Sequence, residues 1–250
     1  TTIGFFGRIN YAYKDKYLFE VNGRYDGSSR FPVNDLWGFF PSTSVGYIIS
    51  QEPFMESTKS VLSFLKVRGS YGSVGNQTVG AYKFLRTLRP KSTAWVTNGN
   101  TMPTVYAPNN VSPTLTWETV TTLDVGLDAR FLNDKLGFTF DWYQRTTSDM
   151  VTGGATVPTT YGPDVAPRNF GELQGRGWEF AVDFNHTFDN GLRITAQATL
   201  ADGQERITKF ANLNNTLPNA MGSYAISANT ATSYYEGMKV GEIWGYETDR

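Results

Sequence analysis

The side chains that could carry chemistry are few, and their spacing argues against catalysis. The chain has no cysteine and a single histidine, His186. These counts disfavour a thiol nucleophile, a disulfide framework, a histidine-based triad and a histidine metal site. Ser63 and Lys66 match the Ser-x-x-Lys pattern of acyl-enzymes. In a strand, however, residues three apart point to opposite faces, so the lysine cannot activate the hydroxyl. We therefore expect no enzyme here.

Two further patterns also favour structural roles. Asp124 and Asp128 would share one face of a strand at a separation of about 13 Å. Glycosidase carboxylates lie about 5–9.5 Å apart, so we expect these two to be solvated in a polar interior or to contact a segment that fills it. Gly171, Gly175 and Gly177 lead into a strand, whereas a phosphate loop needs a helix N-terminus behind it. We interpret them as strand or turn glycines.

The elements that must position these residues follow from an alternation of apolar and polar side chains. In the segment 17–26, Tyr17, Phe19 and Val21 share one face, and Glu20 and Arg24 share the other. Successive side chains of a strand point to opposite sides of the sheet, so each such run has an apolar and a charged face. The pattern predicts strands over 17–26, 65–71, 123–131, 136–143, 178–185 and 192–200, with less regular strands at 5–13 and 43–49.

Composition agrees with an all-β chain. Aromatic residues make up 15% of the 250 residues, charged residues make up only 18%, and glycine is abundant at 25. That profile favours many strands joined by turns. A formal net charge of -1 gives no support for a nucleic-acid partner. No run approaches the ~20 apolar residues of a membrane helix. The first residues lack a signal region, which predicts either processing or an internal fragment.

The connections between the predicted strands alternate between short and long. Short turns are predicted at 14–16, 132–135 and 189–191, where Asn190-Gly191 is a strong hairpin signal. A medium connection runs over 51–60. Long connections are predicted at 27–41, 72–116, 148–174 and after residue 202. This order places turns at one end of an up-and-down sheet and loops at the other.

That asymmetry is typical of an outer-membrane barrel, with short periplasmic turns and long extracellular loops, and not of a Greek-key sandwich. The runs also have about the ~9–11 residues that cross a bilayer at barrel tilt. We therefore predict an antiparallel transmembrane β-barrel. Aromatic residues near the strand ends could form interfacial girdles, with ordinary core packing as the alternative: Tyr11, Tyr13, Tyr17, Trp37, Trp117, Phe131, Trp142, Tyr143 and Trp178.

Two groups of loop residues are candidates for binding. The segment Asp26-Gly27-Ser28-Ser29-Arg30-Phe31 has turn chemistry, since glycine tolerates positive φ and Asp and Ser bond nearby backbone. We expect it to fold the long loop, with direct partner or substrate contact as the alternative. Aromatic rings and amides of the long loops could contact ligand, or could simply fold the loops: Trp95, Tyr106, Asn109, Tyr161 and Asn169.

Several segments, in order along the chain, resemble the SusC/RagA family of TonB-dependent transporters. They are Tyr13-Lys14-Asp15-Lys16-Tyr17-Leu18 with the segment 26–31, Trp37-Gly38-Phe39-Phe40-Pro41-Ser42, Gln51-Glu52-Pro53-Phe54-Met55, 65–72 with Gly75-Asn76-Gln77, Leu115-Thr116-Trp117-Glu118, Gly126-Leu127-Asp128 and 241–249. Matches spread over essentially the whole chain are far more specific than any single motif.

The resemblance implies the middle-to-late strands of a 22-stranded plugged barrel, a size known for outer-membrane transporters. Residues 1–250 would be part of one barrel domain, with the plug domain and the final strands outside this chain. It also implies the outer membrane of a Gram-negative bacterium, no cofactor, a SusD-like surface lipoprotein as a lid, energy from TonB, and a possible dimer of importer-lid pairs.

The function implied is active import of oligomeric nutrients, either oligosaccharides or peptides, through a protein surrounded by outer-membrane lipid. The sequence leaves that choice open. Alternatives are another outer-membrane barrel, such as a porin or siderophore receptor, and a β-rich adhesin. A full-length gene without a plug would favour the porin, and solubility without detergent would favour the adhesin.

Overall fold

The computed structural model describes residues 1–106, 108, 110–112, 114–152, 166–210 and 234–242. Ten strands lie in this part of the chain. They are β1 (Thr2–Tyr13), β2 (Tyr17–Ser28), β3 (Trp37–Ile48), β4 (Leu62–Asn76), β5 (Arg89–Thr97), β6 (Asn100–Tyr106), β7 (Glu118–Phe131), β8 (Leu136–Thr152), β9 (Arg168–Thr187) and β10 (Arg193–Lys209). Short 3-10 helices occupy Val33–Asp35, Ile49–Gln51 and Pro53–Thr58.

Eight of these strands form one antiparallel sheet in the order β1-β2-β3-β4-β7-β8-β9-β10. Each strand pairs with its neighbours, and β5 and β6 form a separate hairpin inside the β4–β7 connection. The sheet does not close on itself within the described residues, because β1 and β10 remain its edges. The predicted all-β, antiparallel, barrel-like fold is confirmed.

The alternation of connections is also confirmed. The links β1–β2, β3–β4, β7–β8 and β9–β10 lie at one end of the sheet, here called the turn end. The links β2–β3, β4–β7 and β8–β9 lie at the other, here called the loop end. At the turn end, Lys14 and Asp15 both have positive φ, near 52° and 54°, and Lys16 N donates to Tyr13 O at 3.1 Å. Positive φ at both central residues is typical of a type I′ turn, and here the turn lies within the three-residue link 14–16.

The strands are longer than the sequence pattern predicts, and the loops are correspondingly shorter. β2 continues to Ser28, so the first long loop covers only residues 29–36. β9 begins at Arg168 and β10 ends at Lys209, although the sequence pattern predicts loops over 148–174 and after residue 202. These extensions break the apolar-polar alternation, and backbone pairing between neighbours maintains them without it.

The two faces of the sheet differ in composition as predicted. One face, here called the outer face, presents large apolar side chains such as Phe5, Phe19, Val45, Leu127 and Phe140, each about 40% exposed or more. Over 2–13, 17–28, 37–48, 65–76, 118–131 and 136–148, all of them described, this face carries no Asp, Glu, Lys or Arg. The opposite face, here called the inner face, carries the charges of these strands. On β9 and β10 the register also places Arg176, Asp202 and Arg206 on the outer face.

The only extensive apolar core of the described chain lies at the loop end, on the inner face. Its buried members are Phe31, Phe40, Val79, Leu115 and Trp117, with Val151 packed against them. The Trp117 ring centroid lies 5.0 Å from that of Phe31 and 5.5 Å from that of Phe40. Because these residues come from two loops and two strands, this loop-end core fixes the loops to the wall of the sheet.

No helix among the described residues is long and apolar enough to cross a membrane.

A pair of neighbouring phenylalanines tests the loop-end core. Phe40 is 6% exposed and Phe39, on the opposite face, is 63% exposed. In the full-length protein in detergent, we expect Phe40→Ala to lower the free energy of unfolding by about 3 kcal/mol, since it leaves a cavity. Phe39→Ala is the matched control and should cost less than half as much. Equal losses for the two variants in urea titrations would contradict this assignment.

Candidate functional site: the inner face and the loop end

A charge network centred on Arg68 occupies the middle of the inner face. Its guanidinium contacts three carboxylates from β7 and β8: Nε lies 3.2 Å from Asp128 Oδ2, Nη1 lies 3.4 Å from Asp124 Oδ1, and Nη2 donates to Asp141 Oδ2 at 2.8 Å. Asp124 and Asp128 are about 13 Å apart along the strand, which is too far for joint catalysis. Arg68 lies between them and contacts both carboxylates. The two aspartates are therefore paired and not merely solvated.

Smaller ion pairs continue the polar face on both sides of this network. Arg8 on β1 pairs with Glu20 at 2.5 Å, and Arg24 contacts Asp26 through Nε and Nη2 at 3.1 and 3.2 Å. Arg130 lies 3.2 Å from Asp183. The first pair joins neighbouring strands, the second lies within β2, and the third spans β8 from β7 to β9. Paired charges of both signs that remain partly exposed are the composition expected of a wet barrel interior.

Glycines of the inner face let large polar side chains lie flat on the sheet. A Cβ at Gly126 would be 2.5 Å from Arg68 Cζ, so only glycine leaves room for the guanidinium. A Cβ at Gly177 would be 2.6 Å from Tyr143 Oη, and one at Gly203 would be 3.1 Å from the same oxygen. Gly171, Gly175 and Gly177 all lie in β9, as the strand interpretation predicts.

A recess of about 550 Å³ opens beside the network toward the turn end. Its walls on the inner face include Asn10, Glu20, Lys66, Arg68 and Asp124. The recess is open, and its exposed lining is mostly apolar apart from these charged and amide groups. It could hold water or another segment of the protein, but it has no enclosed geometry for a small molecule.

The segment 26–31 is built into the fold of the loop end. Ser28 and Phe31 are almost completely buried, and Ser28 N donates to Leu36 O at 3.0 Å. Arg30 Nη1 donates to the carbonyls of Gln77 and Val79 at 2.9 and 3.1 Å, which ties the first loop to the β4–β7 connection.

The remaining members of this segment are packed or bonded as well. Thr1 N donates to Ser29 Oγ at 2.9 Å, and Gly27 lies under the ring of Trp37, where a Cβ would be 2.9 Å from ring carbons. These contacts agree with a role of the segment 26–31 in folding the first loop. A role of the same residues in partner contact remains a prediction.

Among the residues predicted to contact ligand, Asn169 uses its side chain for hydrogen bonds with the backbone of neighbouring segments. Its Oδ1 accepts from Thr116 N at 3.0 Å, and its Nδ2 donates to Thr116 O and Asp149 O at 2.9 and 2.7 Å. Trp95 lies on β5 and is 81% exposed. Tyr106 ends β6. Asn109 and Tyr161 lie outside the described residues.

Some of the aromatic residues predicted to form interfacial girdles lie on the outer face, and two of them do not. On the outer face, Tyr17 stacks on Tyr47 at 5.0 Å at the turn end, and Tyr25 stacks on Trp37 at 4.8 Å at the loop end. Trp142 pairs with Trp178 on the same face. Trp117 and Tyr143 are corrections: Trp117 is buried in the loop-end core and donates Nε1–H to Leu36 O, and Tyr143 lies on the inner face.

At the turn end, Glu52 organises the tyrosines. Lys16 Nζ lies 3.1 Å from Glu52 Oε2, and the hydroxyls of Tyr17 and Tyr47 both donate to Oε1 at 3.2 Å. The hydrogen bond from Lys16 lowers the pKa of the Glu52 carboxyl, with further donation from the tyrosines. The carboxylate thereby holds the β3–β4 connection against the β1–β2 turn.

The residues of the rejected Ser-x-x-Lys motif and the single histidine have local structural surroundings. Ser63 Oγ lies 2.8 Å from Asp134 Oδ1, at a bulge of β4, and Lys66 projects from the inner face. The His186 ring lies 4.4 Å from that of Phe188, centroid to centroid. Ser63 is therefore paired with a carboxylate and not with Lys66.

Sequence reasoning missed the β5–β6 hairpin and the Arg68 network. Asn98-Gly99 forms the hairpin turn, with φ of 53° and 78°, and this Asn-Gly pair was the available signal. Nothing in the sequence pairs Arg68 with Asp124, Asp128 and Asp141, because strand register alone brings them together.

Comparison with known proteins gives concordant results. The family model described as TonB dependent receptor-like, beta-barrel, matches residues 1–248. The chain is 34% identical over 210 residues to TonB-dependent receptor P26 of Formosa agariphila, an alignment covering 84% of this chain and 21% of that protein. It is 35% identical over 187 residues to TonB-dependent receptor SusC of Bacteroides thetaiotaomicron, covering 73% of this chain and 18% of SusC.

Solved structures agree in fold. The RagAB peptide importer in its closed-closed state superposes with a TM-score of 0.73 and 27% identity, over 88% of this chain and 24% of that one. Its open-open state gives a TM-score of 0.74 and 26% identity, over 87% of this chain and 23% of that one. The chain thus spans about a fifth to a quarter of the length of the proteins it matches.

Removing the central arginine tests the charge network. We expect Arg68→Met to lower the free energy of unfolding of the full-length protein by about 2 kcal/mol, because three carboxylates are left facing one another. The loss is smaller than for a fully buried ion pair, because the Arg68 side chain is 32% exposed and solvent screens its charge. Adding Asp141→Asn should recover about half of the loss. Strict additivity of the two substitutions would show that the groups do not interact.

Proposed function

The chain belongs to the β-barrel family of TonB-dependent receptors and is of the SusC/RagA type, and from that premise we propose that it forms part of an outer-membrane importer of oligomeric nutrients. The remaining strands and a plug domain complete the 22-stranded barrel. TonB supplies the energy, and a SusD-like surface lipoprotein acts as a lid over the loop end. No bond of the substrate is made or broken.

The observation that carries this proposal is the two-faced sheet. Side chains of the outer face that are free of charge meet lipid, and the paired charges of the inner face meet a wet or plugged lumen. Aromatic rings bound the apolar band at Tyr47 and at Trp37 on β3. The rise between these residues is roughly 34 Å along the strand at ~3.4 Å per residue, or about 25 Å along the barrel axis at ~40° tilt. That height matches the apolar band of an outer-membrane barrel.

The asymmetry of the connections supports one orientation of the sheet in the membrane. Short links lie on the periplasmic side and the long links, with the β5–β6 hairpin, lie outside the cell. The loop-end core supports this arrangement, because it gives the extracellular loops a defined shape. Loops held in one shape can present a surface to a lid and a mouth to substrate.

The substrate is an oligosaccharide or a peptide. The neighbour RagAB is described as a peptide importer, which gives a precedent for peptides in this structural group. The inner face has charges of both signs and many hydroxyls and amides, and such groups can pair with peptide as well as with sugar hydroxyls.

A pair of adjacent substitutions on β8 tests the membrane orientation. In the full-length protein, Phe140→Arg places a charge on the outer face, and we expect a loss of about 2 kcal/mol in folding into lipid bilayers. Thr139→Arg, whose side chain faces inward, is the matched control and should cost less than about 1 kcal/mol. Urea titrations of folding into vesicles measure both values. An outcome in which the two arginines cost the same would place Phe140 away from lipid.

Growth of a strain lacking the full-length gene tests the import function. We expect selective loss of growth on one polysaccharide, or on peptides, with normal growth on the corresponding monosaccharides or amino acids. The monomers need no barrel of this kind, because small solutes cross through passive pores. The gene in trans should restore growth. Unchanged growth on every polymer of the panel would contradict a non-redundant importer.

A further inference from the structure

The loop-end portions of β8 and β9 pair through two successive β-bulges. β8 has two residues, 148 and 149, where β9 has only Glu172. Closer to the loop end the extra residue belongs to β9, and it is Phe170. Bulges interrupt the backbone ladder and bend a strand. The last residues of the two strands, 150–152 and 168–171, are therefore set off from the regular sheet, and we call them the β8–β9 flap.

The first bulge contains a residue in an uncommon backbone conformation. Asp149 has φ near 55°, in the left-handed region. A residue with a side chain rarely adopts such a φ, although Asp does so more readily than most. The ladder between β7 and β8 also ends here, with Thr119 opposite Ser148. At Asp149, β8 thus leaves the regular ladders on both of its sides, which makes this residue the natural position of a hinge.

The Asn169 side chain replaces ladder hydrogen bonds next to this point. It pairs with Thr116 as a backbone amide would, because Oδ1 accepts from Thr116 N at 3.0 Å and Nδ2 donates to Thr116 O at 2.9 Å. Nδ2 also donates to Asp149 O at 2.7 Å. One side-chain amide therefore joins the flap both to the bulge of β8 and to the end of the β4–β7 connection.

A carboxylate makes a corresponding contact on the β8 side of the flap. Glu118 Oε1 accepts from Val151 N at 2.8 Å, and Glu118 Oε2 accepts from Asn76 Nδ2 at 2.7 Å. The Val151 side chain packs against the loop-end core beside these bonds. Asn169 and Glu118 thus hold the flap where the regular ladder does not.

We propose that the β8–β9 flap is a hinged element, which Asn169 and Glu118 latch to the end of the β4–β7 connection. The structure has the latched state, and the hinge is Asp149. Opening breaks the side-chain hydrogen bonds and withdraws Val151 from the loop-end core, while the wall around Arg68 keeps its pairing. Elements held by few contacts open at a lower free energy than the whole protein unfolds.

The hinge and the latch act in opposite directions. The left-handed φ of Asp149 favours opening, and the hydrogen bonds of Asn169 and Glu118 oppose it. The loop end therefore has two arrangements that differ at the flap and share the same wall. This inference goes beyond the proposed function, because it concerns a motion within the sheet and holds for any substrate.

Hydrogen exchange of the full-length receptor in nanodiscs, resolved to single amides by mass spectrometry, tests the latch. We expect Asn169→Ala to speed exchange at the Val151 amide at least tenfold, although the partner of that amide is Glu118 and not the Asn169 side chain. A role confined to the Asn169–Thr116 pair would speed exchange at Thr116 alone.

The matched control for the latch is Asn185→Ala at the turn end. Asn185 Oδ1 accepts from Arg193 Nε at 3.1 Å, so the control also removes an asparagine that makes a hydrogen bond between strands. Exchange at Val151 should stay within twofold of the wild-type rate in this variant.

Two substitutions of Asp149 test the hinge. Asp149→Ala and Asp149→Gly both remove the carboxylate, but only glycine adopts a positive φ without steric cost. We expect exchange at Val151 to be about fivefold faster in the alanine variant than in the glycine variant. Equal rates in the two variants would overturn the hinge.

The outcomes separate this inference from the proposed function. Faster exchange that is limited to Thr116 and residues 149–152 in Asn169→Ala supports the flap. Equal acceleration at Val125 and Trp142, in the middle of the wall, would show a global loss of stability and overturn it. A wild-type rate at Val151 would also overturn it and leave the import function intact. Normal growth of the deletion strain, with selective exchange in Asn169→Ala, would remove the import function and leave the flap.

Discussion

Strand register is the constraint on which the rest of this structure depends. Side chains alternate between faces with a period of two, so a slip of one residue would move every apolar side chain of a strand to the charged side. The observed pairing, for example Val125 opposite Trp142 and Asp128 opposite Thr139, keeps like faces together across neighbouring strands. The outer face that is free of charge from β1 to β8, the Arg68 network and the loop-end core all follow from this one alignment.

Glycine on the inner face is the second condition. Some large side chains fit on the wall because a neighbouring residue has no Cβ, as at Gly126 beside Arg68 and Gly75 beside Phe40. The same residues that weaken a strand by backbone entropy therefore make room for the groups that join strands and loops. The strands therefore depend less on the intrinsic β propensity of their residues and more on contacts between segments that are distant in sequence.

The loop end combines rigidity with exposure. Phe31, Phe40 and Trp117 bury one side of the connections, and Arg30 and Asn169 bond their backbones, so little freedom is left near the wall. Farther out, the hairpin displays Trp95 and Tyr82 to solvent. The loop end therefore combines a rim that is fixed to the sheet with a hairpin that projects into solvent.

The sequence by itself determined the centres of the eight strands of the main sheet, their two faces, the short turns and the family. These depend on local alternation, on turn chemistry such as Asn190-Gly191, and on motifs spread along the chain. Only the tertiary structure decided that Arg68 joins three aspartates, that Trp117 is buried, and that Asn169 is a backbone clamp. Those facts depend on residues distant in sequence meeting across strands and loops, and no local pattern encodes which side chains such long-range pairing brings into contact.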